Sequence, residues 1–268
     1  MKRWVRFEAA DRSTGFGTLQ GGVIAEHAGN LFHGPSATGK TLAAESVRLL
    51  SPCQPGKIVA LWNNFHALAA RIQKPVPAYP LYFIKAGDCV TGNGAAIRRP
   101  ARYAGKIVFE GELGIVIGRR CSNVSVQEAA GCVFGYTCVN DVTAVEVLNA
   151  DPEFAQWTRA KCFNTFGPMG PAIATELDLG SARVVTTVDG VERQNYPLAD
   201  MIFAPLELVS LISGDMTLMP GDVIACGTSL GVGSLKDGAT VQVSIDGVGT
   251  LSNTFEPPLE PVGRTSGA

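Results

Sequence analysis

The sequence predicts a mainly β protein of the α+β class, with a small N-terminal β-rich lobe over residues 1–51 and a larger domain over residues 52–268. Three observations lead there. Short runs of β-branched and aromatic residues recur along the whole chain, several of them alternating with period two. The 31 glycines and 16 prolines interrupt those runs at the spacing of turns. Helical patterning is confined to short segments near residues 63–71, 142–148 and 206–212.

Composition narrows the classes of function. Of 268 residues, 46% are hydrophobic and 17% charged, which supports an extensive core and argues against disorder. A net charge of −2 with no basic cluster argues against a nucleic-acid partner. No apolar run reaches the length of a membrane span, so no membrane partner is expected. Met1-Lys-Arg-Trp-Val-Arg-Phe-Glu8 has no apolar stretch, so no signal peptide is expected. The seven cysteines form no C-x-x-C pair and sit partly inside apolar runs. They read as buried thiols of a reducing, cytoplasmic protein.

In the N-terminal lobe, Trp4–Phe7 and Gly22–Ala25 are expected strands, with glycine turns at Gly15, Gly17, Gly21 and Gly22. Gly34-Pro-Ser-Ala-Thr-Gly-Lys-Thr41 matches the phosphate-cradling pattern G-x-x-x-x-G-K-[ST]. Its context is wrong for that role. The preceding segment is polar, Pro35 removes a backbone donor, and the run after it stops at Pro52. A chance match in a surface turn is the expectation, and a P-loop nucleotide-binding protein is the weaker rival.

After a linker at residues 52–57, Ile58–Trp62 reads as a strand. Asn63–Arg71 reads as a short helix capped by Asn63 or Asn64. Pro75-Val-Pro-Ala-Tyr-Pro80 leads into a strand at Leu81–Lys85. Lys106–Gly118 reads as one strand that puts Glu110 and Glu112 on the same face, about 7 Å apart. Like charges that close need a cation between them, or they mark the wet face of a half-buried strand.

Cys132–Val139 is a strand ending at Asn140-Asp141. A helix follows, with Asp141 as a candidate N-cap and Thr143-x-x-Glu146 as a candidate capping box. Asp151–Trp157 and the Gly/Pro-rich Phe166–Pro171 read as loops. Val184–Val191 reads as a hairpin turning at Asp189-Gly190. Leu206–Ile212 is a helix and Gly221–Cys226 a strand. The glycine loop Gly227–Gly233 follows, and its backbone N–H groups suit a carboxylate. Val241–Ile245 and Gly247–Leu251 are the last strands, and residues 257–268 read as frayed. Taken singly, Lys161 is a surface charge, Thr228 a turn residue and His66 a structural histidine.

Taken together, four ordered segments resemble the fumarylacetoacetate hydrolase family. They are Glu110-Gly-Glu-Leu-Gly-Ile-Val-Ile-Gly118, Gly135-Tyr-Thr-Cys-Val-Asn-Asp141, Arg159-Ala-Lys-Cys-Phe-Asn-Thr-Phe-Gly-Pro-Met-Gly-Pro171 and Gly221-Asp-Val-Ile-Ala-Cys-Gly-Thr-Ser-Leu-Gly-Val-Gly233. The resemblance runs from about Leu49 to Leu251 and includes Leu49-Leu-Ser-Pro-Cys-Gln-Pro-Gly-Lys-Ile58. It implies a rolled, multilayer β fold and a homodimer. It implies Mg²⁺ or Mn²⁺ held by Glu110, Glu112 and Asp141, with Lys161 beside the metal. Thr228, with Gly227 in the same loop, would bind the carboxylate of a 2-oxo acid. His66 would sit on a mobile helix over the site and activate water.

The implied reaction is hydrolysis of a C–C bond in a 2-oxo or β-diketo acid of the acylpyruvate or fumarylpyruvate type, through a metal-stabilised enolate, in aromatic catabolism. A 2-oxo acid decarboxylase, or an isomerase or tautomerase of the oxaloacetate or 2-hydroxyhepta-2,4-dienedioate type, would use the same platform. A non-catalytic family member is the third option. Three departures bear on that choice. The family's His-x-x-Glu has Ala69 in place of Glu. The Arg four residues after the metal-binding Asp is Val145. Lys-x-Phe-Asp is Lys161-Cys-Phe-Asn164.

Overall fold

A computed structural model of the protein describes residues 2–259. Its frame is a 12-stranded sheet that runs, neighbour to neighbour, through Ser36–Ala43, Val23–Ala28, Thr14–Gln20, Arg3–Glu8, Gly167–Ala174, Val133–Asn140, Gly111–Ile117, Val223–Ala225, Lys57–Trp62 and Leu81–Ala86. Arg48–Leu49 and Val90–Thr91 pair onto it from the side. A five-stranded sheet holds Val191–Pro197, Arg183–Val188, Thr240–Ile245, Gly249–Glu256 and Ile97–Arg98. A three-stranded sheet holds Thr143–Ala144, Ile107–Phe109 and Gly233–Ser234. The helices are short, the longest being Pro205–Asp215.

The Gly111–Ile117 strand lies at the centre, and every one of its residues is buried. Leu113, Ile115 and Ile117 pack with Val184, Val243 and Ile245 of the five-stranded sheet and with Leu208 and Ile212 of the long helix. Val116, on the opposite face, packs with Ile58, Ala60, Val139, Met169 and Val223. A strand covered on both faces belongs to a multilayered, rolled β structure, as the family resemblance implied.

The N-terminal strands extend the large sheet, because Arg3 and Trp4 pair with Ala174 and Ile173. Residues 36–43, which contain most of the phosphate-loop pattern, form an almost wholly exposed edge strand paired to Val23–Ala28. No long helix follows, only the three-residue turn Ala44–Ser46. The segment lacks the strand–loop–helix geometry that would present backbone N–H groups to phosphate.

Several local expectations change. Lys106–Gly118 is two strands that belong to different sheets, broken at Glu110. Phe166–Pro171 falls mostly within the buried strand Gly167–Ala174 and is not a loop. A register shift between Tyr136 and Cys138 accommodates its proline-rich sequence in the sheet. The helix of residues 66–71 has Phe65 as its N-cap, while Asn63 takes a left-handed conformation before it. The next helix is Val145–Leu148 with Ala144 as N-cap. Thr143 and Glu146 form no capping box there. Glu146 accepts from the Lys106 N–H and the Tyr103 hydroxyl instead. The hairpin at Asp189-Gly190 forms as expected, with positive φ at both residues. All seven cysteines are free. Among the described residues, no helix is long and apolar enough to cross a membrane. Of the segment 257–268, residues 260–268 lie outside the described residues.

Candidate metal centre and active site

Glu110 occupies the break between two strands. Its backbone N–H donates to Asn140 Oδ1 at 3.0 Å, and its carbonyl accepts from the Asp141 N–H at 2.8 Å. These bonds join the end of one strand to the end of its neighbour, so Glu110, Glu112 and Asp141 converge. One ligand oxygen from each lies within 4.8 Å of the others. Gly111 is required at this point, because a Cβ there would lie 2.1 Å from Thr186 Oγ1.

Two lysines enter the cluster. Lys161, in the short helix Trp157–Lys161, donates from Nζ to Glu110 Oε2 at 2.8 Å and Asp141 Oδ2 at 2.5 Å. Lys85, at the inner end of Leu81–Ala86, donates to Asp141 Oδ1 at 2.5 Å and to the Phe166 carbonyl at 2.9 Å. Lys161, Asp141 and Lys85 are withdrawn from solvent, whereas the Glu110 side chain keeps 18% of its exposure. Three carboxylates against two ammonium groups leave a formal charge of about −1.

Burial dominates the electrostatics. It pushes the Glu112 carboxyl well above the usual range, and neighbouring Asp141 and Glu110 push the same way. Burial raises Glu110 as well, although Lys161 opposes it. At Asp141 burial also acts upward, but Lys161 and Lys85 together overcome it and the carboxyl is held low. At Lys161 burial acts downward and is outweighed by Asp141, Glu110 and Glu112, so the ammonium is held above its ordinary range.

Glu112 tests whether the cluster suits a metal. Its Oε2 accepts the Gly227 N–H at 2.9 Å, but Oε1 is buried without a hydrogen-bond partner among the described residues. A buried carboxylate oxygen left unpaired is costly unless a cation meets it. Three converging oxygen donors with a residual negative charge suit a hard divalent ion such as Mg²⁺ or Mn²⁺.

The remaining expected residues divide. The Gly227 N–H is committed to Glu112. Thr228 Oγ1 donates to the Gly111 carbonyl at 3.0 Å and accepts from Gln194 Nε2 at 2.8 Å. In this arrangement neither donor is free for a substrate carboxylate, and both residues bond to the strand that carries Glu112. One residue on, Ser229 buries an Oγ with no hydrogen-bond partner among the described residues. His66 is exposed in the first turn of its helix and does not join the carboxylate cluster. The segment leading into that helix is nonetheless tied to the site, since Asn64 Nδ2 donates to the Cys226 carbonyl at 2.9 Å.

Sequence reasoning missed Lys85, Gln194 and Thr143. Thr143 Oγ1 lies 3.1 Å from Glu110 Oε1, and Gln194 bridges Gly111 and Thr228. Only Lys85 left a signal: a charge on an otherwise apolar strand, where burial requires a partner.

Residues 57–256 match the family model of the fumarylacetoacetate hydrolase C-terminal domain, and residues 2–52 match an Rv2993c-like N-terminal model. The oxaloacetate tautomerase YisK of Bacillus subtilis is 35% identical over 221 residues, which is 77% of this chain and 72% of that protein. The crystal structure of a 2-hydroxyhepta-2,4-diene-1,7-dioate isomerase from Mycobacterium marinum superposes with a TM-score of 0.88 at 36% identity, covering 97% of this chain and 100% of that one. A maleylpyruvate hydrolase from Sphingobium sp. SYK-6, in complex with manganese and pyruvate, gives 0.79 at 25% identity, over 96% of this chain and 100% of that one. With a family model spanning 200 residues and the carboxylate cluster assembled inside it, this chain belongs to the fumarylacetoacetate hydrolase family.

Proposed function

We propose that this protein is a divalent-metal-dependent tautomerase or isomerase of a 2-oxo acid, with Glu110, Glu112 and Asp141 holding Mg²⁺ or Mn²⁺. One observation carries the choice. The charge-stabilising half of the site is assembled around Lys161, while His66 stands exposed, with alanine at position 69 where an orienting carboxylate would be. When bound, the ion would act as a Lewis acid toward the oxygens of the 2-oxo acid.

The protein's own groups supply the rest. Lys161 has three N–H donors, and two are fixed on Glu110 and Asp141. The third is left for a substrate oxygen. As a proton passes from the carbon beside the carbonyl to solvent water, that oxygen gains negative charge next to a preorganised ammonium, and a proton returned from solvent to the oxygen completes the enol. Lys85 and Thr143 fix the carboxylates that orient Lys161. Keto–enol exchange needs this charge stabilisation and a proton acceptor, but no water attacking carbon.

Hydrolysis of a C–C bond is the second reading, and one contact favours it. Asp200 Oδ2 accepts the Ala67 N–H at 3.0 Å, so a carboxylate stands beside the His66 helix. The experiment follows oxaloacetate enol decay by ultraviolet absorbance, with parallel assays of acylpyruvate cleavage and of CO₂ release. Rapid tautomerisation, lost with chelator and in Glu110→Ala, is expected. Activity that survives both treatments would refute the metal site. Pyruvate release from acylpyruvates without tautomerisation would select hydrolysis, and CO₂ release alone would select decarboxylation.

A further inference from the structure

The antiparallel pairing of Lys57–Trp62 with Leu81–Ala86 sets Trp62 opposite Leu81, Ala60 opposite Phe83 and Ile58 opposite Lys85. Directly paired residues share a face, and residues two apart along a strand share it too. Trp62, Leu81, Phe83 and Lys85 therefore all stand on the side from which Lys85 reaches Asp141. Lys85 is the buried inner end of that row, and Leu81, 42% exposed, is its outer end.

Trp157 comes to the same face from the helix that carries Lys161. Its ring stacks on Phe83 with centroids 5.2 Å apart and planes 17° apart, and it lies 5.9 Å from Trp62. The Lys161 ammonium lies 5.2 Å from the Phe83 ring centre. The aromatic group thus begins where the charged cluster ends. A cavity of about 330 Å³ lies against it, lined by Phe83, Phe154, Trp157 and the exposed Arg159. Phe83, Trp62 and Trp157 are only partly buried, and Phe154 is 72% exposed. Phe83 packs at the edge of a core cluster, and Phe154 leaves the group open at its rim.

We propose that Phe83 and Trp157, the latter backed by Trp62 and with Phe154 at the rim, wall a subsite for a planar apolar substituent of the 2-oxo acid. This rests on the proposed function and narrows its substrate class. The acid group would lie at the carboxylate cluster, and the substituent would stack along the ring faces beyond Lys161. Offset stacking on aromatic rings rewards a flat conjugated or aryl group over a short polar one. A small acid such as pyruvate would leave the rings uncovered.

The test is isothermal titration of the Mg²⁺-loaded protein with pyruvate and with phenylpyruvate. Phenylpyruvate should bind about tenfold or more tightly, and Trp157→Ala should reduce that ratio to about threefold or less. Phe154→Ala, at an exposed position that does not endanger folding, should lower the ratio in the same direction. Equal affinities in the native protein, or a ratio unchanged in both variants, would overturn the subsite while leaving the metal-site reading in place. If neither acid binds, the 2-oxo acid reading fails and the subsite with it. A dimer that dissociates on Trp157→Arg would assign the face to a second copy of the chain, also against the proposal.

Discussion

Lys85 Nζ lies 2.5 Å from Asp141 Oδ1, and neither side chain reaches solvent. The second Asp141 oxygen is taken by Lys161, so one carboxylate is shared by two ammonium groups from different parts of the chain. Removing one member of a buried pair leaves an uncompensated charge, which costs about 3–5 kcal/mol. Lys85→Met should therefore lower the unfolding free energy of the metal-free protein by about 3 kcal/mol, measured by urea titration in EDTA. A loss under about 1 kcal/mol would show that Lys161 alone satisfies Asp141.

Metal should stabilise the fold. An ion bound only by the native state adds about 2.7 kcal/mol at a hundredfold excess over its dissociation constant. In a chain of this size, that raises the melting temperature by about 5 °C or more. Differential scanning fluorimetry with Mg²⁺ and Mn²⁺ reads this without any substrate. Glu112→Gln should abolish the shift, because it removes the oxygen that has no other partner. A full shift in that variant would place the ion elsewhere.

The residues that were legible in the sequence are those whose pattern is local. Glu110 and Glu112 are two apart on one predicted face, which raises a cation as one of two readings, whereas Asp141 by itself reads as an N-cap and joins them only through the ordered motifs of the family resemblance. What stayed hidden depends on long-range contacts. Lys85 meets Asp141 across 56 positions, and Gln194 meets Gly111 across 83. Nothing near either residue announces its partner. The strand Gly167–Ala174 was hidden for a different reason: Pro168 and Pro171 signal a loop by propensity, and neighbouring strands override that signal. The phosphate-loop pattern shows the converse, a local match without the surrounding strand and helix.

The metal-free protein should lose stability as pH rises. Glu112 and Glu110 have raised carboxyl pKa values in the folded state, so the native state binds protons more tightly than the unfolded chain. Their contribution is complete below the unfolded carboxyl range and is lost as pH climbs through the folded values. Asp141, held low, acts oppositely: its contribution is present above the unfolded range and lost only on acidification. Urea titrations from pH 5 to pH 8 in EDTA should show the decline, and Glu112→Gln should flatten it. Mg²⁺ affinity should rise over the same window, because binding requires the ionised carboxylates. A stability that increases with pH in EDTA would contradict the raised Glu112.

Gly111→Ala should destabilise the protein by about 1–3 kcal/mol, since the new Cβ meets Thr186 Oγ1 and no flexible chain end can give way. Thr186 Oγ1 has no partner among the described residues, so its removal leaves no donor or acceptor unpaired. The double variant Gly111→Ala with Thr186→Ala should recover at least half of the loss. Failure of that rescue would mean that the second close neighbour, Gln194 Oε1 at 3.2 Å, sets the limit.

Lys161→Met separates the charge that Lys161 supplies from the platform that holds the ion. The substitution removes an ammonium fixed between Glu110 and Asp141 while leaving all three candidate ligands in place. Losing one preorganised donor to a developing oxyanion costs about 10²–10³ in kcat. Oxaloacetate tautomerisation should fall by that factor. Mn²⁺ binding, followed by titration calorimetry, should persist or tighten, because the carboxylates lose a competing cation. The two readouts move apart only if Lys161 acts on the substrate. Equal loss of Mn²⁺ binding and turnover would reduce Lys161 to a structural counter-ion, and unchanged turnover would remove it from the chemistry.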